Sequence, residues 1–141
     1  MQKHNFAPGF RLSVPDVIIL AIGTATAIAL ATVIWWWGFV IGFVLGHFFL
    51  FCNVVRMARP LELAWAGVFV TLAGATVVVD TPGWLVTVLV SLLVTAVVVA
   101  VEMRKPSYHG LGWQWINPGL PAWWNSRVTE SSEGTEQTGS P

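Results

Sequence analysis

The chain has 141 residues, of which 55% are hydrophobic and 10% are charged, and its seven basic residues balance its seven acidic ones. A soluble domain carries roughly 25% charged residues, so this composition argues against a soluble domain and against a disordered chain. The balanced charge argues against nucleic acid as a partner, and a single cysteine excludes an internal disulfide framework. We therefore expect a small all-α integral membrane protein that contacts membrane lipids.

The apolar sequence divides into four segments of bilayer length. Residues 16–55 are almost unbroken apolar sequence, and one helix of that length would measure ~60 Å, about twice the hydrocarbon thickness. The chain must turn near the Trp35–Gly38 cluster, because Trp prefers the membrane interface and Gly loosens a helix. A second turn is predicted at Asp80–Trp84. Two helical hairpins follow, with spans at residues 16–34, 38–56, 61–79 and 83–102.

The distribution of charge predicts the orientation. With four spans, every lysine and arginine falls on one side, whereas the short turns on the other side carry Asp80 and no basic residue. The positive-inside rule then predicts cytoplasmic termini, with residues 1–15 as a cytoplasmic segment before a transmembrane domain of residues 16–103. This asymmetry is typical of a multi-pass protein of the plasma membrane, and we expect a bacterial inner membrane. The basic residues are Lys3, Arg11, Arg56, Arg59, Arg104, Lys105 and Arg127.

Small residues recur at four-residue spacing within the spans. Gly38, Gly42 and Gly46 form a GxxxGxxxG run that lets another helix backbone approach closely, and Gly23 and Ala27 in the first span offer a matching face. Two interpretations stay open: packing within one four-helix bundle, or contact with a second copy or another subunit. The fourth span carries a polar stripe at the same spacing, formed by Thr87, Ser91 and Thr95.

His47 is the one ionisable residue that falls well inside the predicted bilayer region. By helical phase it faces away from Gly38. The simpler interpretation is a neutral imidazole hydrogen-bonded to a neighbouring Thr or backbone carbonyl. The alternative is a ligand for haem, or a contact to a pigment or quinone, although the chain offers no second His at the same depth for a bis-His haem.

Charged residues collect at the predicted cytoplasmic ends of the spans. Arg56, Arg59 and Glu62 lie between the second and third spans, and His109 follows the fourth. One interpretation is pairing at the interface and contact with anionic headgroups. The other is a cytoplasmic site for an anion or a partner protein.

The sequence after the fourth span is unusually aromatic. Residues 104–125 combine Pro and Gly with four tryptophans, a mixture that argues against a long helix and against a free linker. We expect a segment along the membrane interface beside Trp65, or a strip that anchors a partner protein. Residues 126–141 are polar and are expected to be flexible. The four tryptophans are Trp113, Trp115, Trp123 and Trp124.

These features favour a non-enzymatic accessory or scaffold subunit of a larger membrane complex. Surfaces suited to association are abundant, whereas no nucleophile–base pair, metal-ligand spacing or phosphate loop is present in the sequence. Two alternatives are a haem, pigment or quinone-contacting subunit that uses His47, and a small transporter or channel with a path lined by His47 and the polar stripe of the fourth span. The sequence itself requires no cofactor.

Overall fold

The computed structural model describes residues 6–137, with side chains up to residue 130, and this part of the chain is helical with no strands. The prediction of an all-α chain with four helices long and apolar enough to cross a membrane is confirmed. The second span continues from α2 into a π-helical turn, Leu50–Val55. The helices are α1 Val14–Ala31, α2 Trp35–Phe49, α3 Arg59–Val79, α4 Trp84–Met103, α5 Trp113–Ile116 and α6 Leu120–Gln137.

The first two spans begin two to three residues before their predicted starts. Ser13 caps α1 through a capping box with Asp16, whose Oδ2 accepts from the Ser13 backbone N–H at 2.8 Å. α1 ends at Ala31, so the first turn is residues 32–34 and the tryptophans open α2 instead of forming the turn. Trp36 stacks on Trp84 at the start of α4, with ring centroids 5.9 Å apart. Aromatic stacking therefore joins the two hairpins at this end of the bundle.

The first hairpin is held by small residues. Gly38 is buried, and a methyl group there would overlap the Ala27 carbonyl oxygen and the Ala31 methyl. Further along, a methyl on Gly23 would lie 2.8 Å from Leu45 Cδ2. The backbones of α1 and α2 therefore lie in direct contact at Gly38, whereas at Gly23 the α1 backbone packs against the Leu45 side chain.

Hydroxyl groups hold the second hairpin. Thr87 and Ser91 of α4 are completely buried, and Thr87 Oγ1 lies 2.9 Å from Thr76 Oγ1 on α3. Ser91 and Thr95 each donate to the carbonyl four residues earlier in α4, at 2.7 and 2.8 Å. The polar stripe of the fourth span therefore faces α3 inside the bundle.

Aromatic rings fill the space between the two hairpins. Phe51, Trp65 and Phe69 are all less than 5% exposed, and Trp65 stacks on Phe69 with ring planes 4° apart. The Trp65 indole N–H donates to the Ser91 carbonyl at 3.2 Å. Trp65 thus belongs to the core, and the prediction that it lies beside the tryptophans after α4 is wrong.

The last described helix begins within the Trp-rich segment and continues into the polar end of the chain. α6 runs from Leu120 to Gln137, so residues 126–137, which were predicted to be flexible, are helical, and residues 138–141 lie outside the described part. Pro121 sits in the first turn of α6, where its missing N–H has no intrahelical partner to lose. Leu120 is 1% exposed and anchors the start of this helix against the rest of the protein.

Candidate functional site

The segments before α1 and after α4 fold together over one end of the bundle. We call this region, residues 6–13, 56–58 and 104–124, the basic end, because Arg11, Arg56, Arg104 and Lys105 lie in it. Phe6 contacts Trp113 and Trp124, with ring centroids 6.0 and 5.6 Å apart. The two segments thus form a single folded cover over the end of the second span.

The cover is built on carbonyl groups that the end of the second span leaves free. The last carbonyls of any helix lack intrahelical partners. Here the Asn53 carbonyl accepts from the Arg11 N–H at 3.3 Å, and the Val54 carbonyl accepts from the Leu111 N–H at 2.8 Å. Two distant parts of the chain therefore cap the same helix end through their backbones.

Tyr108 and Gly110 fix the path of the segment after α4. Tyr108 is 3% exposed, and its hydroxyl donates to the Leu111 carbonyl at 2.8 Å. Burial, with a smaller contribution from Glu102, raises the pKa of the Tyr108 hydroxyl. A methyl on Gly110 would overlap the Val55 carbonyl oxygen. The segment therefore lies against the helix end at backbone contact distance.

Asn53 links the second span to the start of the first. The side chain is 3% exposed, and its amide nitrogen donates to the Arg11 carbonyl at 2.5 Å and to Asp16 Oδ2 at 3.0 Å. Asp16 also accepts from the backbone N–H and hydroxyl of Ser13. The Asp16 carboxylate is therefore already engaged by hydrogen-bond donors close to Arg11.

Two adjoining clefts open on the basic end and share Arg56, Ser107 and His109. The larger, about 500 Å³, is also lined by Arg59 and by the carboxylates of Glu62 and Glu102. The smaller, about 230 Å³, is walled by aromatic and other apolar side chains together with Arg11. The structure thus brings together Arg56, Arg59, Glu62 and His109, which lie up to 53 positions apart in the sequence.

The predicted tryptophans divide between the clefts and the surface. Trp123 and Trp124 line the smaller cleft, and Trp113 contacts Phe6 beside it. Trp115 is 92% exposed and lies outside both clefts. Arg11 was predicted to lie on the cytoplasmic side, but the link from Asn53 to Arg11 could not be predicted, because neither residue stands in a recognisable motif.

Arg56 is the central cation of the basic end. Its backbone is left-handed, with φ 55°, at the position after a helix where glycine is usual, and one Nη1–H donates to the Ala7 carbonyl at 2.7 Å. Partial burial, and then the nearby charge of Arg11, lower the pKa of its guanidinium. Among the side chains of residues 6–130, the ion pairs within 4.0 Å are Lys105–Glu102 and Arg127–Glu130. No carboxylate in that range neutralises Arg11 or Arg56 at this distance.

His47 lies in the aromatic core rather than in either cleft. Its ring stacks on Trp65 with centroids 4.4 Å apart, and Phe43 lies 4.3 Å from it. Its Nδ1 lies 2.8 Å from the Phe43 carbonyl. Among the side chains described, residues 6–130, no group of three or more His, Cys, Asp or Glu could bind a metal ion. The described neighbours of His47 are thus aromatic rings and a backbone carbonyl of its own helix.

Gly42 and Gly46 lie outside the close contact that Gly38 makes with α1. Both are exposed, and a methyl group on either would meet nothing within 4 Å. At about 100° per residue, Gly42 and Gly46 are rotated roughly 40° and 80° around the helix from Gly38.

Comparisons with protein-family models, curated proteins and solved structures gave no match to this chain.

Proposed function

We propose that the protein is a non-enzymatic accessory or scaffold subunit of a larger membrane assembly. In this proposal the four apolar helices cross a bacterial inner membrane, and the basic end lies in the cytoplasm. The support for this orientation is that Arg11, Arg56 and Arg59 lie at one end, whereas the turns at the other end carry Asp80 and no Lys or Arg.

The open face of α2 is the observation that carries the proposal. Gly42 and Gly46 form a GxxxG pair at which an added methyl group would meet nothing within 4 Å among the described residues, although Gly38 on the same helix is in close contact with α1. In lipid, helices associate through close backbone approach more than through hydrophobic burial. The Gly42–Gly46 face therefore suits a transmembrane helix of another membrane protein that carries small residues of its own.

The polar groups inside the bundle are engaged in its own packing, which further supports a structural role. Thr87 shares a hydrogen bond with Thr76, and Ser91 and Thr95 bond to their own helix. Neither cleft of the basic end is lined by these residues or by His47. This arrangement favours a subunit over a transport path along α4.

The test is the double variant Gly42→Leu with Gly46→Leu, purified in mild detergent from the membranes of the source cells. Because both positions are open, the fold is expected to survive, and helix propensity rises by about 1 kcal/mol at each glycine. We expect a partner membrane protein at a fixed ratio with the natural chain, and a loss of at least about tenfold with the double variant.

Gly67→Leu is the matched control, because Gly67 of α3 is also exposed with nothing within 4 Å. It should leave partner recovery unchanged. Equal recovery with the natural chain and with the double variant would contradict the proposal. If the purified complex contains only copies of this chain, the Gly42–Gly46 face binds a second copy of the chain and not another membrane protein.

A further inference from the structure

We propose that the smaller cleft of the basic end binds the phosphate group of an amphiphilic or free phosphate compound between Arg11, Arg56 and His109. This site is independent of the Gly42–Gly46 face, because it lies beyond the end of the second span. It would make the protein a phosphate-binding subunit as well as a helix-packing one.

The first support is a local excess of positive charge. Arg11 and Arg56 both line the smaller cleft, the charge of Arg11 contributes to the lowered pKa of Arg56, and no carboxylate among the described side chains lies within 4.0 Å of either cation. The Asp16 carboxylate also feels the charge of Arg11, but it accepts hydrogen bonds from Ser13 and does not line the cleft. Two like charges held at one cleft favour an oxyanion between them, and guanidinium groups match phosphate geometry.

The second support is the backbone at Arg56. A left-handed conformation costs a non-glycine residue roughly 1–2 kcal/mol, and glycine would avoid that cost at the end of a helix. An arginine nevertheless occupies position 56, and one of its Nη1–H groups donates to the Ala7 carbonyl. The Arg56 guanidinium is thus positioned by the fold, and its remaining N–H groups can donate to a ligand.

The third support is the composition of the cleft wall. His109 Nδ1 lies 2.9 Å from the Ser107 carbonyl, an acceptor, which assigns a hydrogen to Nδ1 and leaves the Nε2 lone pair to accept from the O–H of a monoprotonated phosphate. The same cleft is also lined by Trp123 and Trp124. A phosphate with an attached apolar group would satisfy both sides of this cleft.

The two carboxylates of the larger cleft do not line the smaller one. Glu62 and Glu102 lie on the adjoining larger cleft, and Glu102 is bound to Lys105 at 2.6 Å. An anion in the smaller cleft therefore avoids direct contact with either carboxylate. The cleft also lies level with the ends of the spans, where headgroup phosphates of a bilayer would be found.

The experiment measures binding of dioctanoyl phosphatidic acid and of inorganic phosphate to the full chain in a neutral maltoside detergent. The readouts are tryptophan fluorescence, since two tryptophans line the cleft, and native mass spectrometry for stoichiometry. We expect saturable one-to-one binding that weakens by at least about tenfold in Arg11→Gln, because a charge-assisted hydrogen bond is lost.

Arg56→Asn is the second variant, since asparagine tolerates the left-handed backbone but carries no charge. Arg104→Gln is the matched control, because Arg104 is exposed at the same end of the bundle and lines neither cleft. Among the described residues, the Arg11 side chain makes no hydrogen bond, so the fold should persist in Arg11→Gln. Arg56→Asn removes the hydrogen bond from Arg56 to the Ala7 carbonyl, so Arg11→Gln keeps the test decisive if that change loosens the fold.

Each outcome decides the proposal. Weaker binding of the phosphate probes to Arg11→Gln, with unchanged binding to Arg104→Gln, supports the site. Competition by inorganic phosphate at similar concentrations would then identify a free phosphate compound, and binding of the phosphatidic acid alone would identify a lipid. Equal weakening in Arg104→Gln, unchanged binding in Arg11→Gln, or no saturation with either probe would overturn the proposal.

Discussion

Replacing Gly38 by alanine is expected to destabilise the protein by about 3 kcal/mol, because the added methyl overlaps the backbone of α1. The atoms that it meets are the Ala27 carbonyl oxygen and the Ala31 Cα and Cβ, none of which can rotate away. The two helices of the first hairpin must therefore separate. The measurement is the free energy of unfolding in mixed micelles, from titration with a denaturing detergent followed by circular dichroism.

Gly42→Ala is the matched control on the same helix. Its methyl group meets open space, and alanine is a better helix former than glycine, so this variant should be up to about 1 kcal/mol more stable than the natural chain. A lower unfolding free energy in Gly38→Ala together with a higher one in Gly42→Ala would locate the α1 contact at Gly38. Equal effects at both positions would contradict the packing of the first hairpin.

Trp65→Ala is expected to cost about 3–5 kcal/mol of unfolding free energy, the range of a large aromatic truncation in a core. Trp65 stacks on both His47 and Phe69, and its indole N–H donates to the Ser91 carbonyl. Removing it opens a cavity between the two hairpins and leaves the Thr95 hydroxyl as the remaining side-chain donor to that carbonyl. The same detergent titration measures the loss.

Trp115→Ala is the control for the same change of residue. Trp115 is 92% exposed, and its loss should change the unfolding free energy by less than about 0.5 kcal/mol. Trp65→Phe should recover most of the loss, because the ring stacking is kept and one hydrogen bond is removed. A loss below about 1 kcal/mol in Trp65→Ala would show that the hairpins are held by other contacts.

The helices could be predicted from the sequence because their signals are local. The turn predicted at Asp80–Trp84 separates α3 from α4, and the structure ends α3 at Val79 and begins α4 at Trp84. The GxxxGxxxG run was less informative. A repeat of four residues drifts by about 40° on a helix of 3.6 residues per turn, so Gly38 and Gly46 end on different faces.

The fold of the basic end could not be predicted, because backbone groups far apart in the chain hold it together. The Gly9 N–H donates to the His109 carbonyl at 2.7 Å, and the Leu111 N–H donates to the Val54 carbonyl. Backbone hydrogen bonds of this kind do not require particular residue types, so the sequence does not indicate them. Residues 104–125 were recognised as ordered by their tryptophans, but their contact with residues 6–13 carried no sequence signal.

The most direct test of the subunit proposal is site-specific photo-crosslinking in intact membranes of the source cells. A photoreactive phenylalanine analogue replaces Gly42 in one variant and Gly67 in another, both open positions on spanning helices. The account predicts one discrete protein adduct at position 42, at the mass of this chain plus a different membrane protein, and only lipid adducts at position 67. Lipid adducts alone at both positions would contradict it.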